Sequence, residues 1–240
     1  MPGTQYIALS AMRSRLDELD RLAGNISNAG TAGYKGQRGA QRAVERPSFG
    51  TELQTAIDTV ATEAKIDFRP GMVEPTGRAL DAAIDGQGFF VVETDQGVRY
   101  TRDGHFKKTA DGTLVTADGA TVQGKDGPLQ LGPGEIEIKS DGSVYAGSKK
   151  AGMLAVVNFD DPNKLSRDRG AMLRNDSGLT PVDVEDVIIQ PEALEGSNVV
   201  VAEVLAQLTD ASRSFEALQK AISMVMTEVD GKSIEMLGRR

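Results

Sequence analysis

The feature that most constrains this chain is an apolar seam near its C-terminal end. Every seventh residue from Val201 gives Val201, Leu208, Phe215, Ile222 and Val229, and every seventh from Val204 gives Val204, Ala211, Leu218 and Val225. These nine positions are consecutive a and d sites of a heptad pattern, and all are apolar in a sequence only 39% hydrophobic. Four heptads of this kind predict a coiled-coil-type helix over Val201–Val229. At ~1.5 Å per residue it is roughly 43 Å long. Glu203, Gln207, Asp210, Arg213, Lys220 and Glu228 make its other face polar. A helix with one narrow apolar stripe has to cover it with a partner.

A second stripe lies at the other end of the chain. Leu9, Met12, Leu16, Leu19, Ala23 and Ile26 follow the same a/d spacing. Thr4 reads as an N-cap, Gly30 as the residue just past the helix end, and Gly33 as a second turn. An ordinary two-helix core inside one globular domain is the plainer reading. Against it, the helices flank a long middle with its own β signals, so the seams are expected to meet other copies or other proteins.

The middle is punctuated by Asp-Gly pairs at Asp103-Gly104, Asp111-Gly112, Asp118-Gly119, Asp126-Gly127 and Asp141-Gly142. Asp-Gly between short strand-like runs is a strong hairpin signal. Runs expected as strands are Phe89–Val92, Val98–Thr101, Thr113–Thr116, Thr121–Gln123, Glu135–Ile138, Ser143–Tyr145, Met153–Phe159 and Val184–Ile189. Asn163–Gly178 reads as polar loop, and Pro191 closes the β region. Pro47–Ala64 suits a helix turn or a strand equally. Ser197 or Asn198 is the expected N-cap of the last helix. The fold class predicted is therefore α+β: N- and C-terminal coiled-coil-type helices packed together, flanking a central all-β domain of short hairpin-linked strands. The boundaries expected are 1–35 with 197–240 for the helical part, 36–78 for a connector and 79–196 for the β domain.

Composition narrows the chemistry. A net charge of −8 with no basic run excludes a general nucleic-acid binder. Cysteine is absent and His105 is the only histidine, which removes thiol catalysis, a triad and a Cys-ligated zinc site. His105, inside a hairpin, reads as a surface residue. Gly231-Lys232-Ser233 lacks the earlier glycine of a phosphate loop, because position 226 is Met. Gly86-x-Gly88 precedes a strand and lacks the third glycine of a dinucleotide fingerprint. Asp81 and Asp85 read as turn residues rather than an acid pair. No catalytic, metal or cofactor residue is assigned, and no small-molecule substrate. Met1–Asn25 carries six charged residues and does not read as a cleavable signal peptide. The longest purely apolar run, Met153–Val157, is far too short to span a membrane.

Three stretches carry a family likeness. Ala23-Gly24-Asn25-Ile26-Ser27-Asn28 followed by Thr31-Ala32-Gly33-Tyr34-Lys35 resembles the opening signature of bacterial flagellar rod and hook axial proteins. Asp85-Gly86-Gln87-Gly88-Phe89-Phe90-Val91-Val92, then Tyr100–Phe106 and Gly112–Val115, resembles their central segment. Ala193-Leu194-Glu195-Gly196-Ser197-Asn198-Val199 with Arg213, Phe215, Glu216 and Lys220 resembles their closing helix. Gly24 and Val200 stand where the family usually has Asn, and Val204 where it usually has Glu. The chain length and the run Pro75–Asp81 resemble the proximal rod type more than the longer distal rod or hook types.

The resemblance implies a structural, non-enzymatic subunit of the flagellar basal-body rod. Its terminal helices would form the wall of a hollow, torque-transmitting axial tube. Its partners would be copies of itself, other rod proteins and the flagellar type III export apparatus. Its place would be the periplasmic rod, reached without a cleaved signal peptide. A distal rod or hook-type subunit is the alternative within the family, and a secreted coiled-coil scaffold or adhesin the alternative outside it.

Overall fold

In the computed structural model, which describes residues 2–40, 63–184 and 186–237, the run Phe89-Phe90-Val91-Val92 forms the start of the strand Phe89–Thr94. Side chains alternate along a strand, so an unbroken apolar run has to be buried on both faces. Phe90 and Val92 enter one core with Phe106, Leu114, Val122 and Val156. Phe89, and Val91 at its margin, join the other with Tyr100, Val157, Phe159 and Leu173. Phe90 meets Phe106 edge-on with ring centroids 5.2 Å apart, and Tyr100 meets Phe159 at 4.8 Å. Each fully buried side chain of this size stabilises the fold by ~1.5–3 kcal/mol relative to exposure.

Around that strand the main sheet is antiparallel. Its order is Ser166–Arg167, Met172–Arg174, Gly97–Thr101, Phe89–Thr94, Thr121–Gly124, Leu114–Thr116 and Phe106–Lys108. Val156–Asn158 also pairs with Phe89–Thr94, in the register Val156 opposite Phe90. A three-stranded meander follows from Ile136–Ile138, Ser143–Ala146 and Lys149–Met153. Two short pairs lie beside them: Ala82–Asp85 with Ile188–Pro191, and Val73–Pro75 with Ala193–Glu195.

The Asp-Gly pairs divide into two kinds. Gly112, Gly119, Gly127 and Gly142 have φ of +87°, +87°, +120° and +79°, the conformation that the expected hairpin turns require. Gly104 has no positive φ; a Cβ on it would run into the backbone of Ala82. Its glycine serves close backbone approach, not a positive φ.

Other expectations are corrected. The stretch 163–178 is not a bare loop: it holds the strands Ser166–Arg167 and Met172–Arg174, with Met172 and Leu173 buried. Met153–Phe159 is split between the ends of two strands, Lys149–Met153 and Val156–Asn158. The strand expected over Val184–Ile189 begins only at Ile188 and runs to Pro191, and Ala193–Glu195 follows it, so Pro191 does not close the region. The reading of Pro47–Ala64 lies outside the described residues, apart from its end, which opens the strand Glu63–Ile66.

The chain divides into two compact units. One comprises Met1–Ser27, Gln37–Lys65 and Val200–Arg240; the other, the β unit, comprises Asn28–Gly36 and Ile66–Val199. The first holds α1 (Pro2–Ser27) and α2 (Val201–Leu237), which contact each other. Thr4 lies inside α1 rather than capping it. No described helix is long and apolar enough to cross a membrane.

Candidate functional site

The residues of the helical stripes fall at different depths. On α2, Val204 and Ala211 are buried, Leu208, Phe215, Leu218 and Ile222 are half-buried, and Val201 is 42% exposed. The side chains of Val225 and Val229 lie outside the described residues, as does that of Leu9. On α1, Met12, Leu19 and Ile26 are half-buried, whereas Leu16 is 44% exposed and Ala23 is exposed. Among the described side chains of α1, those buried are Leu22 and Asn25. Asn25 spends its amide on the backbone of Gln37, accepting from its N–H at 2.9 Å and donating to its carbonyl at 2.8 Å. A side-chain amide has both a donor and an acceptor, so it can satisfy both groups of one peptide residue at once.

Within the β unit the three sequence signatures meet. Asn28 accepts the N–H of Thr31 and starts the turn that leads to Gly33. Gly33 has φ +66° and lies on the Arg102–Asp103 backbone, where a Cβ would have no room. Its N–H donates to the Glu195 carbonyl at 2.6 Å. Two residues on, the Lys35 ammonium is tied to the Glu195 carboxylate and donates to the Arg69 carbonyl at 3.0 Å. Arg102 reaches the same carboxylate at 3.3 Å. It also donates to the Gly86 carbonyl at 2.7 Å and lies over the Phe89 ring, 5.5 Å from its centroid. The Gly71 N–H completes the carboxylate shell at 2.9 Å. Lys35, Arg102 and Glu195 are 3%, 8% and 1% exposed, so this is a charge cluster in the interior.

Burial lowers the affinity of both cations for their protons. Desolvation pushes the Lys35 ammonium below its ordinary value, opposed by its bond to Glu195, and the Arg102 guanidinium is lowered in the same way against Glu195. A buried charge cluster adds little net stability over an apolar one, but removing one member leaves uncompensated charge.

Neighbouring bonds extend the tie. Asn198 accepts the Gly36 N–H at 2.7 Å and donates to the carbonyls of Asp67 and Arg69 at 2.7 and 2.9 Å. Its own N–H donates to the Tyr34 carbonyl at 3.3 Å. Gly196 donates to Met72, and the Ser197 hydroxyl accepts the Val199 N–H. Asn198 is therefore committed elsewhere and is not the cap of α2, which begins at Val201. Arg167 covers the Tyr34 ring at 4.2 Å and donates to the Lys35 carbonyl. Burial pushes the Tyr34 phenol up, against the charge of Arg167. Gly88, at φ +127°, starts the central strand.

Of these residues, the motif stretches contain Lys35, Arg102 and Glu195, but nothing in the linear sequence pairs partners this far apart. Arg167 carried no signal, sitting in a stretch read as loop. His105 is less exposed than expected: its Nδ1 lies 3.2 Å from an oxygen of Asp81, which is 1% exposed and accepts from Thr76. Among the described residues no group of three or more His, Cys, Asp or Glu is placed to hold a metal.

Comparison with known proteins identifies the family. The family model for the flagellar hook protein FlgE/F/G D1 domain matches residues 83–146, and that for the flagellar basal body rod FlgEFG protein C-terminal region matches 190–226. The chain is 32% identical over 244 residues to the flagellar basal-body rod protein FlgF of Caulobacter vibrioides, covering 100% of this chain and 99% of the relative. It is 30% identical to FlgF of Salmonella typhimurium, covering 97% of each. The chain belongs to the flagellar basal-body rod protein family. As a rod protein it is a structural subunit and not an enzyme. The rod protein FlgG of Bacillus subtilis is 32% identical over 165 residues, covering 62% of each chain.

Proposed function

We propose that this rod protein assembles helically through coiled-coil-type contacts of α1 and α2, forming part of the hollow tube that carries torque in the proximal rod. Its partners are further copies of itself and other rod proteins, and it reaches the periplasmic rod through the flagellar type III export apparatus, uncleaved. The helical part is assigned to residues 1–35 and 197–240, the connector to 36–78 and the β domain to 79–196.

The observation that carries the reading is the incompletely covered apolar surface of α2. Leu208, Phe215, Leu218 and Ile222 are only half-buried in the single chain, and Leu205 and Met224, outside the stripe, are 47% and 68% exposed. Large apolar side chains left open along a regular helix mark a surface that meets another chain. Coverage supports the FlgF type over the FlgG type: the relatives named FlgF are matched over 92–100% of this chain, those named FlgG over 62–72%; the proximal assignment itself rests on the chain length and the run Pro75–Asp81.

The test is Phe215→Asp. A carboxylate in an apolar contact costs several kcal/mol if it stays ionised. Swimming is expected to be lost while the purified variant keeps the melting temperature of its β unit. Electron microscopy of the basal bodies then distinguishes the positions. A rod that stops next to the inner-membrane ring supports the proximal assignment, a rod that stops short of the hook supports a distal one, and intact rods with normal swimming overturn the assembly role.

A further inference from the structure

We infer that the tie between residues 33–36 and 195–198 is a mechanical clamp that keeps the β unit off the load path when the two ends of the chain are pulled apart. The ties join Gly33 to Glu195, Lys35 to Glu195, and then Tyr34 and Gly36 to Asn198. The two backbone ties, Gly33 to Glu195 and Tyr34 to Asn198, rise together along both segments, so the segments run in the same direction. In that arrangement the N-terminal end of one segment and the C-terminal end of the other lie at opposite ends of the tie. Tension between residues before 33 and residues after 198 slides the segments along each other. All ties are then loaded together, whereas a hairpin pulled from its open end loses its bonds one at a time.

The chemistry of the ties suits shear. The contact at the centre is charge-assisted and dry: Lys35, Arg102 and Glu195 are 3%, 8% and 1% exposed. Water cannot substitute for a bond as it lengthens, and a displaced Glu195 leaves two buried cations behind. Arg102 anchors the carboxylate to the sheet through the Gly86 carbonyl, and Asn198 anchors the second segment through Asp67 and Arg69. While the clamp holds, the force crosses between the two segments and their anchoring residues, and the strands of the main sheet from Phe89 to Arg174 are spared. This property belongs to the isolated chain and does not depend on where in a rod the protein sits.

The experiment is constant-force pulling of the full chain by optical tweezers, with handles on cysteines introduced as Ser27→Cys and Val200→Cys, because the native chain has none. Three variants are compared on this background. Glu195→Gln weakens the charged centre, and Asn198→Ala removes only uncharged ties, which keeps the test available if the first variant folds poorly. Gly119→Ala lowers equilibrium stability at a hairpin away from the clamp, where φ is +87° and a Cβ meets nothing. Loss of the carboxylate charge that Lys35 and Arg102 share is expected to shorten the folded lifetime at fixed force at least about tenfold in Glu195→Gln. Asn198→Ala is expected to shorten it several-fold, and Gly119→Ala to leave it unchanged. Equal lifetimes in the clamp variants and the parent, or a Gly119→Ala lifetime as short as theirs, would overturn the clamp.

Discussion

Glu195 is the counter-ion for two cations that arrive from different stretches of the chain, which makes the consequences of altering the cluster unequal. Glu195→Gln leaves Lys35 and Arg102 buried without a carboxylate and is expected to cost about 3–5 kcal/mol. Lys35→Met removes one cation but leaves Glu195 with Arg102 and the Gly71 N–H, and is expected to cost clearly less. Urea unfolding of both variants checks the order; equal losses would show that Glu195 is not shared. Asp103 presents the opposite case. Burial raises its carboxyl above the ordinary value, against the His105 N–H bond that favours the charged form. A group whose folded value is raised stabilises the fold below its unfolded value and loses that contribution as pH rises through the folded one. Asp103→Asn keeps an oxygen for the His105 N–H and has no charge to bury. Relative to the parent, it is expected to gain stability as pH rises from about 3.8 upwards, measured as the difference between the two melting curves at each pH. A difference that stays flat across the acid range would contradict the buried-charge reading.

At the scale of elements, local chemistry was legible and long-range pairing was not. Asp111-Gly112, Asp118-Gly119, Asp126-Gly127 and Asp141-Gly142 announce turns because φ above zero is a local demand that few residues meet. Asp103-Gly104 looks the same in the sequence, but the neighbour that demands glycine there is Ala82, brought alongside by tertiary structure. The two causes predict different costs. Gly119→Ala pays only for a side chain at positive φ, about 1 kcal/mol. Gly104→Ala forces a Cβ into a backbone and is expected to cost about 3 kcal/mol or more. Thermal melts of the two variants separate the cases, and a Gly104→Ala variant as stable as Gly119→Ala would mean that the strand Ala82–Asp85 yields easily. The N-cap expected at Ser197 or Asn198 failed for a similar reason. An Asn before a helix suits a cap, but Asn198 has better partners in Gly36, Asp67 and Arg69. Short strands such as Met172–Arg174 were missed because a three-residue strand inside charged sequence has no periodicity to read.

For the whole molecule, the helix α2 was readable because nine apolar positions at fixed spacing are hard to produce otherwise. Among the described side chains of α1 the buried ones are Leu22 and Asn25, outside the stripe; an Asn that clamps a backbone is invisible to an apolar count. The convergence of the three signatures on Glu195 also changes what digestion of the dilute monomer should yield. Trypsin needs an accessible cation and a local stretch that can open. Arg13, Arg38, Lys65, Arg213 and Lys220 are exposed, whereas Lys35 and Arg102 are buried. Cutting is therefore expected at both helices and at Arg38 and Lys65, and not at Lys35, although Lys35 lies in a stretch that reads as an open turn. Cleavage at Arg38 severs the peptide bond between the Gly33–Gly36 segment and the strands that follow. It leaves untouched the bonds from that segment to Glu195 and Asn198. The peptide ending at Arg38 should then stay with the β unit on a sizing column and separate only in denaturant, with intact masses identifying both pieces. In Glu195→Gln the same peptide should fall away under native conditions. A peptide that leaves the parent protein at once, or a cut at Lys35, would show that the tie is not closed in the free subunit.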